Sequence, residues 1–167
     1  MPKPLSLPFD PIARADELWN QRWGSVPAMG AITSIMRAHQ ILLAEVDAVV
    51  KPYGLTFARY EALVLLTFSQ AGELPMSKIG ERLMVHPTSV TNAMDRLEAQ
   101  GLVKRVADIE DRRRTFAELT AEGKDVLAQA TEQIMAIDFA VRGLDAKQQD
   151  ETYELLRNLR SSAGDFA

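Results

Sequence analysis

The stretch MSKIGERLMVHPTSVTNAMDRLEAQGLVKRVADIEDRRRTF (76–116) decides the fold of this 167-residue chain. Apolar residues recur at helical spacing in two runs of its first half, which predicts helices over 76–84 and 88–100. Pro87 favours a helix start and Gly101 favours a helix end, because their backbone preferences match those two positions. Only a tight turn separates the two predicted helices.

The second half of the stretch changes its pattern from helical to alternating. Residues 102–106 have the composition of a short strand, and residues 115–119 alternate apolar and polar side chains, as strands with one buried face do. Between them, 108–114 is charged and carries a single apolar residue. The pattern predicts a β-hairpin with a charged tip directly after two short helices, which is the order of a winged helix-turn-helix.

The flanks on both sides of this unit are predicted to be helical. Residues 1–11 contain four prolines and are predicted to be an extended arm. Thr56 is a good N-cap for one helix and Thr120 for another, and Asp145 with Gln148 forms a capping box for the last. The predicted flanking helices run over 12–23, 28–50, from 56 to about 68, from 120 to about 142, and from 145 to about 161.

The predicted fold class is therefore mainly α with a small β-hairpin wing, a winged helix-turn-helix flanked by dimerisation helices. The predicted division is an N-terminal arm and dimerisation helices over 1–54, a DNA-binding lobe over 55–119, and C-terminal dimerisation helices over 120–167. The long helices at both ends carry apolar faces that a single copy would leave exposed. A homodimer is expected because a second copy covers such faces.

The composition excludes several classes of protein and site. The chain has no cysteine, which excludes disulfides, thiolate nucleophiles and cysteine-ligated zinc. No apolar run reaches the roughly 18 residues of a membrane span, and the first residues do not read as a signal peptide, so a cytoplasmic protein without a membrane partner is expected. The net charge of −4 does not exclude a nucleic-acid partner, since charges act locally at physiological salt.

The second helix of the central unit carries small and polar residues where a DNA-reading helix needs them. Asn92 can pair bidentately with adenine, and Thr91 offers a hydroxyl and a methyl group to base edges. Thr88 and Ser89 lie at the helix N-terminus, where hydroxyl and N–H groups suit a phosphate. The predicted contacts to double-stranded DNA from this helix are Thr88, Ser89, Thr91, Asn92, Asp95 and Arg96.

The hairpin tip places Arg112, Arg113 and Arg114 in a row. An arginine on a thin β-loop can enter the minor groove, where A·T-rich sequence deepens the negative potential. Asp111 is interpreted as a support that orients an arginine by a charge-assisted hydrogen bond. Two alternatives stay open: the arginines form an ordinary solvated turn, or the winged helix is a protein-interaction module that does not bind DNA.

Three stretches resemble the MarR family of bacterial regulators: LTFARYEAL (55–63), VHPTSVTNAMDRLEAQGLV (85–103), and Asp111-Arg112-Arg113 followed by LTAEG (119–123). The resemblance implies a dimeric transcriptional regulator, interpreted as a repressor. It implies that Arg113 enters the minor groove with Asp111 as its support, and that 88–96 is the recognition face. Many relatives have a small residue where this chain has Arg114, which would add a phosphate contact.

The resemblance also implies an effector, because members of the family are often released from DNA by small aromatic or anionic ligands. The helix over 12–23 resembles the extra N-terminal helix of one subgroup, which carries a tryptophan. An aromatic wall with one or two cations suits a planar anion. The candidate ligand-binding residues are Trp19, Arg22, Trp23, Arg37, His39, Arg59 and Tyr60. The alternative is that the tryptophans and His39 are core or interface residues and that Arg59 pairs with a carboxylate.

An enzyme is not expected. His39 and His86 lie in different helical regions, and no Ser/His/Asp set, metal-ligand spacing or glycine-rich phosphate loop is present in the sequence. The acidic residues of the hairpin tip stand beside arginines that would compete with a metal ion. No catalytic residue, metal or cofactor is predicted.

Overall fold

The computed structural model describes residues 6–69, 72–108, 111 and 114–166. The helices are α1 (Pro11–Trp23), α2 (Pro27–Val50), α3 (Phe57–Thr67), α4 (Met76–Leu83), α5 (Pro87–Ala99), α6 (Ala121–Ala136) and α7 (Ala146–Ser162). The strands are β1 (Glu73–Pro75), β2 (Val103–Ala107) and β3 (Thr115–Leu119). The predicted fold class, mainly α with a small wing, is confirmed.

The sheet has one strand more than the sequence predicted. The strands are antiparallel in the order β1-β3-β2, and Leu74 on β1 pairs with Ala117 on β3. The sequence pattern predicts a two-stranded hairpin and no strand between α3 and α4. A strand of three residues is too short to show alternation, and its pairing with β3 joins residues distant in sequence, so its pattern gave no signal.

The core lies where α3 and α5 meet the sheet. The side chains of Leu63, Leu66, Met94 and Leu97 are fully buried, and Ala117 of β3 is buried with them. The C-terminal end of α2 and the middle of α6 complete the core with Val46, Val50, Leu127, Ala130 and Ile134. The central lobe thus shares one continuous core with α2 and α6, which fixes the position of α5.

The helix-turn-helix is formed by α4 and α5. Met84 ends α4 in the left-handed region at φ 54°, and the Val85 N–H donates to the Gly80 carbonyl at 3.1 Å. A Cβ on Gly80 would lie 3.2 Å from Cγ2 of Val90 on α5, so glycine allows the two helices to approach closely. The turn and the close packing hold α5 against α4 at one orientation.

Helix α6 starts as predicted and ends early. The Thr120 hydroxyl accepts a hydrogen bond from the Gly123 N–H at 2.9 Å and donates to the Gly101 carbonyl at 2.7 Å. The prediction that the helix continues to about Arg142 is wrong, because Asp138, Phe139 and Ala140 have φ values of 50°, 48° and 65°. This left-handed turn contains neither glycine nor proline, so the sequence held no signal for it.

The terminal helices differ from the lobe in having no buried residue. The capping box of Asp145 and Gln148 at the start of α7 is present as predicted. Farther along α7, apolar side chains remain exposed: Tyr153, Leu155, Leu156 and Leu159. Of the predicted N-terminal arm, residues 6–10 form no helix or strand, and 1–5 lie outside the described residues.

Candidate nucleic-acid interface

Helix α5 buries one face and exposes the face that the sequence predicted to read DNA. Val90, Met94 and Leu97 point into the core. The six predicted contact residues are all exposed: Thr88, Ser89, Thr91, Asn92, Asp95 and Arg96. Because the helix axis is fixed by its buried face, the exposed face presents mostly short polar side chains at a defined orientation.

The start of α5 is capped by a residue that the sequence did not single out. Nδ1 of His86 accepts a hydrogen bond from the Thr88 N–H at 3.2 Å and lies 3.1 Å from the Thr88 hydroxyl. The Thr91 hydroxyl donates to the Pro87 carbonyl at 3.1 Å. The sequence does contain a signal for this cap, since His86 precedes a proline at the first helical position and the residue there is the N-cap.

A second unpredicted residue, Arg105 of β2, joins the wing to α5. Its Nη2 donates to Oδ1 of Asp95 at 2.5 Å and to the Thr91 carbonyl at 3.2 Å. Its Nε lies 3.6 Å from Oε2 of Glu98, and its backbone N–H donates to Oε1 of Glu98 at 3.1 Å. Asp95 is therefore engaged within the chain, although the sequence offered it as a contact to DNA.

The wing tip is described in part. Arg112 and Arg113 lie outside the described residues, so the minor-groove role of Arg113 stays a prediction. The Asp111 N–H donates to Oδ1 of Asp108 at 3.3 Å, and the Arg114 N–H donates to the Asp111 carbonyl at 2.8 Å. The support that Asp111 is predicted to give Arg113 is likewise still a prediction.

Arg114 packs back onto the wing. Its Nη1 lies 3.7 Å from Oδ2 of Asp108, and its guanidinium carbon lies 5.6 Å from the centre of the Phe116 ring. Its side chain remains about half exposed, so it can still turn outward. Between the wing and α5 lies a cleft of about 330 Å³, which is lined by Pro75, Met76, Ser77, Thr91, Arg105, Arg114 and Thr115.

Three of the seven predicted ligand residues come together on α1. The Trp19 and Trp23 rings lie 4.6 Å apart at an angle of 49°. The Arg22 guanidinium carbon lies 5.1 Å from the centre of the Trp23 ring. On α2, Arg37 is half-buried and His39 is exposed.

The other two ligand candidates lie on α3 and have partners there or on α6. Arg59 donates from Nε to the Thr56 hydroxyl at 3.3 Å. Tyr60 is buried, and its hydroxyl lies 3.2 Å from the Thr131 hydroxyl. A cleft of about 480 Å³ lies nearby, lined by Thr67, Lys124, Leu127, Ala128, Thr131, Glu132 and Met135. None of the seven predicted ligand residues lines this cleft.

The described residues form neither a metal-binding cluster nor a membrane-spanning helix. No group of three or more histidine, aspartate or glutamate side chains in the described ranges is placed to hold a metal ion. None of the helices found there is long and apolar enough to cross a bilayer. Burial raises the pKa of Glu61, on α3, above its ordinary value of 4.5.

Comparison with known proteins identifies the family. The model of the MarR family matches residues 58–115. The HTH-type transcriptional repressor Rv2887 of Mycobacterium tuberculosis is 31% identical over 128 residues, which span 76% of this chain and 91% of the relative. The chain belongs to the MarR family.

Solved structures of MarR-family proteins agree with the fold described above. Sco5413, a MarR family transcriptional regulator from Streptomyces coelicolor, is 63% identical, with a TM-score of 0.79 over 85% of this chain and 99% of that one. Sco3205 from the same organism, solved in complex with DNA, is 26% identical, with a TM-score of 0.75 over 84% and 90% of the two chains.

The family assignment confirms two predictions. The MarR resemblance seen in the sequence is correct, and the chain is a transcriptional regulator of this family, not an enzyme. The matched residues 58–115 run from α3 to the first residue of β3 and include α5 and β2.

Proposed function

We propose that the chain is a sequence-specific DNA-binding repressor that acts as a homodimer, with α5 of each copy in a major groove. The observation that carries this proposal is the exposed face of α5, which is small and polar while the opposite face is locked into the core. The major groove is wide enough for an α-helix, and it displays a distinct pattern of donors and acceptors for each base pair.

The residues of α5 and the wing divide the work in this proposal. Asn92 and Thr91 read base edges, and Thr88 and Ser89 bind a phosphate near the helix N-terminus. The tip arginines 112–114 supply affinity, with Arg113 in the minor groove. The exposed polar surface of α5 and the family of the chain support this division of roles.

The homodimer is supported by the apolar residues that the terminal helices expose. Leu155, Leu156 and Leu159 of α7 and Trp23 of α1 are 71%, 36%, 51% and 63% exposed in the single chain. Covering such a surface with a second copy is favourable at about 25 cal/mol per Å² of apolar area. In this arrangement 55–119 is the DNA-binding lobe, and 1–54 with 120–167 form the dimerisation region.

A symmetric dimer sets the geometry of the DNA site. Two α5 helices related by a two-fold axis would read half-sites about one helical turn, roughly 10 bp, apart. A small aromatic or anionic effector would release the dimer by changing the distance between the two lobes. The Trp19–Trp23 pair with Arg22 beside it is the aromatic and cationic surface that supports an effector of this kind. The proposal places the protein in the cytoplasm, together with the DNA that it binds.

Selection from a random oligonucleotide library tests this function against the protein-interaction alternative. The proposal expects one enriched two-fold sequence, and log K should fall steeply with log salt, by about 0.9 per phosphate neutralised. Asn92→Ala should relax the preference at one base position by about 10- to 100-fold, since a bidentate base contact is lost. Gln133→Ala, which removes an exposed amide from α6, is the matched control and should leave the preference unchanged.

The wing has its own test in the same assay. Arg113→Ala should weaken binding to all sequences and reduce the salt slope by about one unit. Equal affinity of the Arg113 variant and the wild type would contradict the wing assignment. A library that yields no enriched sequence, with binding that does not respond to salt, would favour a winged helix that binds protein. Effector candidates that change neither the melting temperature nor operator binding would contradict ligand release.

A further inference from the structure

The contacts of Arg105 point to a role that neither the family nor the proposed DNA contacts assign. Its guanidinium bonds or lies close to three positions of α5: the Thr91 carbonyl, the Asp95 carboxylate and the Glu98 carboxylate. Positions 91, 95 and 98 are spaced i, i+4 and i+7, so they lie on one face of the helix. One side chain of the wing therefore holds almost two turns of α5.

The electrostatics of this cluster also matter for DNA. Asp95 and Glu98 are partly exposed, and two carboxylates beside a phosphate backbone would oppose binding. Arg105 is only 27% exposed, because α5 covers it. The charge of Arg105 is thus neutralised by the two carboxylates of its own chain. A guanidinium covered in this way is poorly placed to neutralise a phosphate as well.

We propose that Arg105 is a positioning residue, which fixes the orientation of α5 relative to the wing, and that Asp95 is its anchor and does not read a base. β2 pairs with β3, and both strands lead to the tip. The major-groove helix and the wing then reach DNA as one rigid unit. The proposal rests on the proposed DNA-binding function and assigns the geometry on which that function depends.

The decisive experiment compares Arg105→Met with Lys104→Met by fluorescence anisotropy on the selected operator and on random DNA. Lys104 is the matched control, because it is the neighbouring cation on β2 and pairs with Glu118 of β3 at 2.9 Å, away from α5. Arg105→Met should lower operator affinity by about 10- to 100-fold, as expected when a charge-assisted network is broken. Affinity for random DNA should fall less than operator affinity does, because the two carboxylates left without Arg105 oppose binding to any DNA alike. The salt slope should stay the same, because no phosphate contact is lost.

Substitution of Asp95 distinguishes a positioning role from the reading of a base. Asp95→Asn should weaken operator binding without changing the preferred base at any position. The Asp95→Asn/Arg105→Met double variant should bind about as well as Arg105→Met alone, because the two residues act through each other. Thermal melting of each free variant, together with its binding to random DNA, shows that it is folded.

Several results would overturn the role. A salt slope that falls by about one unit in Arg105→Met would make Arg105 a phosphate contact. A changed base preference in Asp95→Asn would make Asp95 a reader of that base. An equal loss in Lys104→Met would show that charge alone is responsible. Wild-type protein that selects no DNA would overturn the proposed function and this role together, whereas wild-type binding matched by Arg105→Met would overturn the role alone.

Discussion

The central lobe and the terminal helices α1 and α7 differ in how far they bury their apolar side chains. The lobe buries its apolar side chains, such as Leu63 and Leu66 on α3 and Leu97 on α5, in a core that α2 and α6 complete. Helices α1 and α7 bury none, and their leucines and tryptophans face outward in the single chain. One region is therefore held by burial within the chain, whereas the other leaves an apolar surface that the proposed second copy would cover.

The largest effect on operator binding is expected from disrupting the exposed apolar surface of α7. Leu156→Asp places a carboxylate in the apolar stripe of α7, so the dimer should dissociate at micromolar concentration. Operator affinity should then fall by about 10²- to 10⁴-fold, because two linked lobes bind far more tightly than one. Asn158→Asp adds the same charge 200° around the helix and is the control. Sedimentation velocity and operator titration measure both effects, and a Leu156→Asp variant that stays dimeric would contradict the dimerisation role of α7.

Where α6 packs against the lobe, the largest effect is expected at Gly123. A Cβ at this position would overlap the carbonyl of Leu102 and crowd Leu119, because α6 crosses the chain between α5 and β2 at this point. Gly123→Ala should lower the free energy of unfolding by about 3 kcal/mol in urea denaturation, as severe overpacking does. Gly143→Ala, where nothing lies within 4 Å, should be nearly neutral. Similar losses in both variants would show that the close approach is not the cause.

The joint between the two regions is the left-handed turn before α7. Ala140→Gly should raise the free energy of unfolding by about 1 kcal/mol, because glycine adopts φ 65° without the Cβ clash. Ala128→Gly in the middle of α6 should lower it by about the same amount, because glycine is a poor helix former. A gain in the free energy of unfolding for Ala140→Gly together with a loss for Ala128→Gly, measured by thermal unfolding, would establish that the turn is strained. A loss of stability in both variants would argue that the turn is unstrained.

The smallest effect is expected at Glu61 and depends on pH. Its pKa is raised by burial, so the folded state favours the protonated carboxyl, and the stability it contributes at low pH is lost as the pH rises through the folded-state pKa. Glu61→Gln should therefore melt at a higher temperature than the wild type near pH 7, and the gain should vanish below about pH 4.5. A gain that is constant with pH would exclude burial of the charge as its cause. Glu132→Gln, on the exposed face of α6, should leave the melting temperature nearly unchanged.

Local signals predicted the parts of the molecule that follow local rules. Pro87, Thr120 and the Asp145 capping box predicted helix starts to within one residue, because capping depends on a few neighbouring residues. Strand β1 and the left-handed turn at 138–140 were missed, since both depend on packing between distant segments. At the candidate site, the exposed face of α5 was predicted from helical periodicity.

The contacts of Arg105 could not have been predicted, because they join residues seven to fourteen positions apart across two elements. In the sequence, Arg105 is one of two adjacent basic residues in a predicted strand, and nothing distinguishes it from Lys104. The sequence therefore predicts only part of the candidate site. The exposed face of a helix follows from the spacing of its residues, whereas side-chain contacts between elements follow from the tertiary fold.

The spacing of the half-sites tests the central claim most directly. If the terminal helices hold two DNA-binding lobes at a fixed distance, inserting 5 bp between the half-sites of the selected operator rotates one half-site to the opposite side of the duplex. Operator affinity, measured by titration at one salt concentration, should then fall by about 100-fold or more, to the level of a single half-site. Affinity that is unchanged by the insertion would contradict a dimer that sets the distance between two reading lobes.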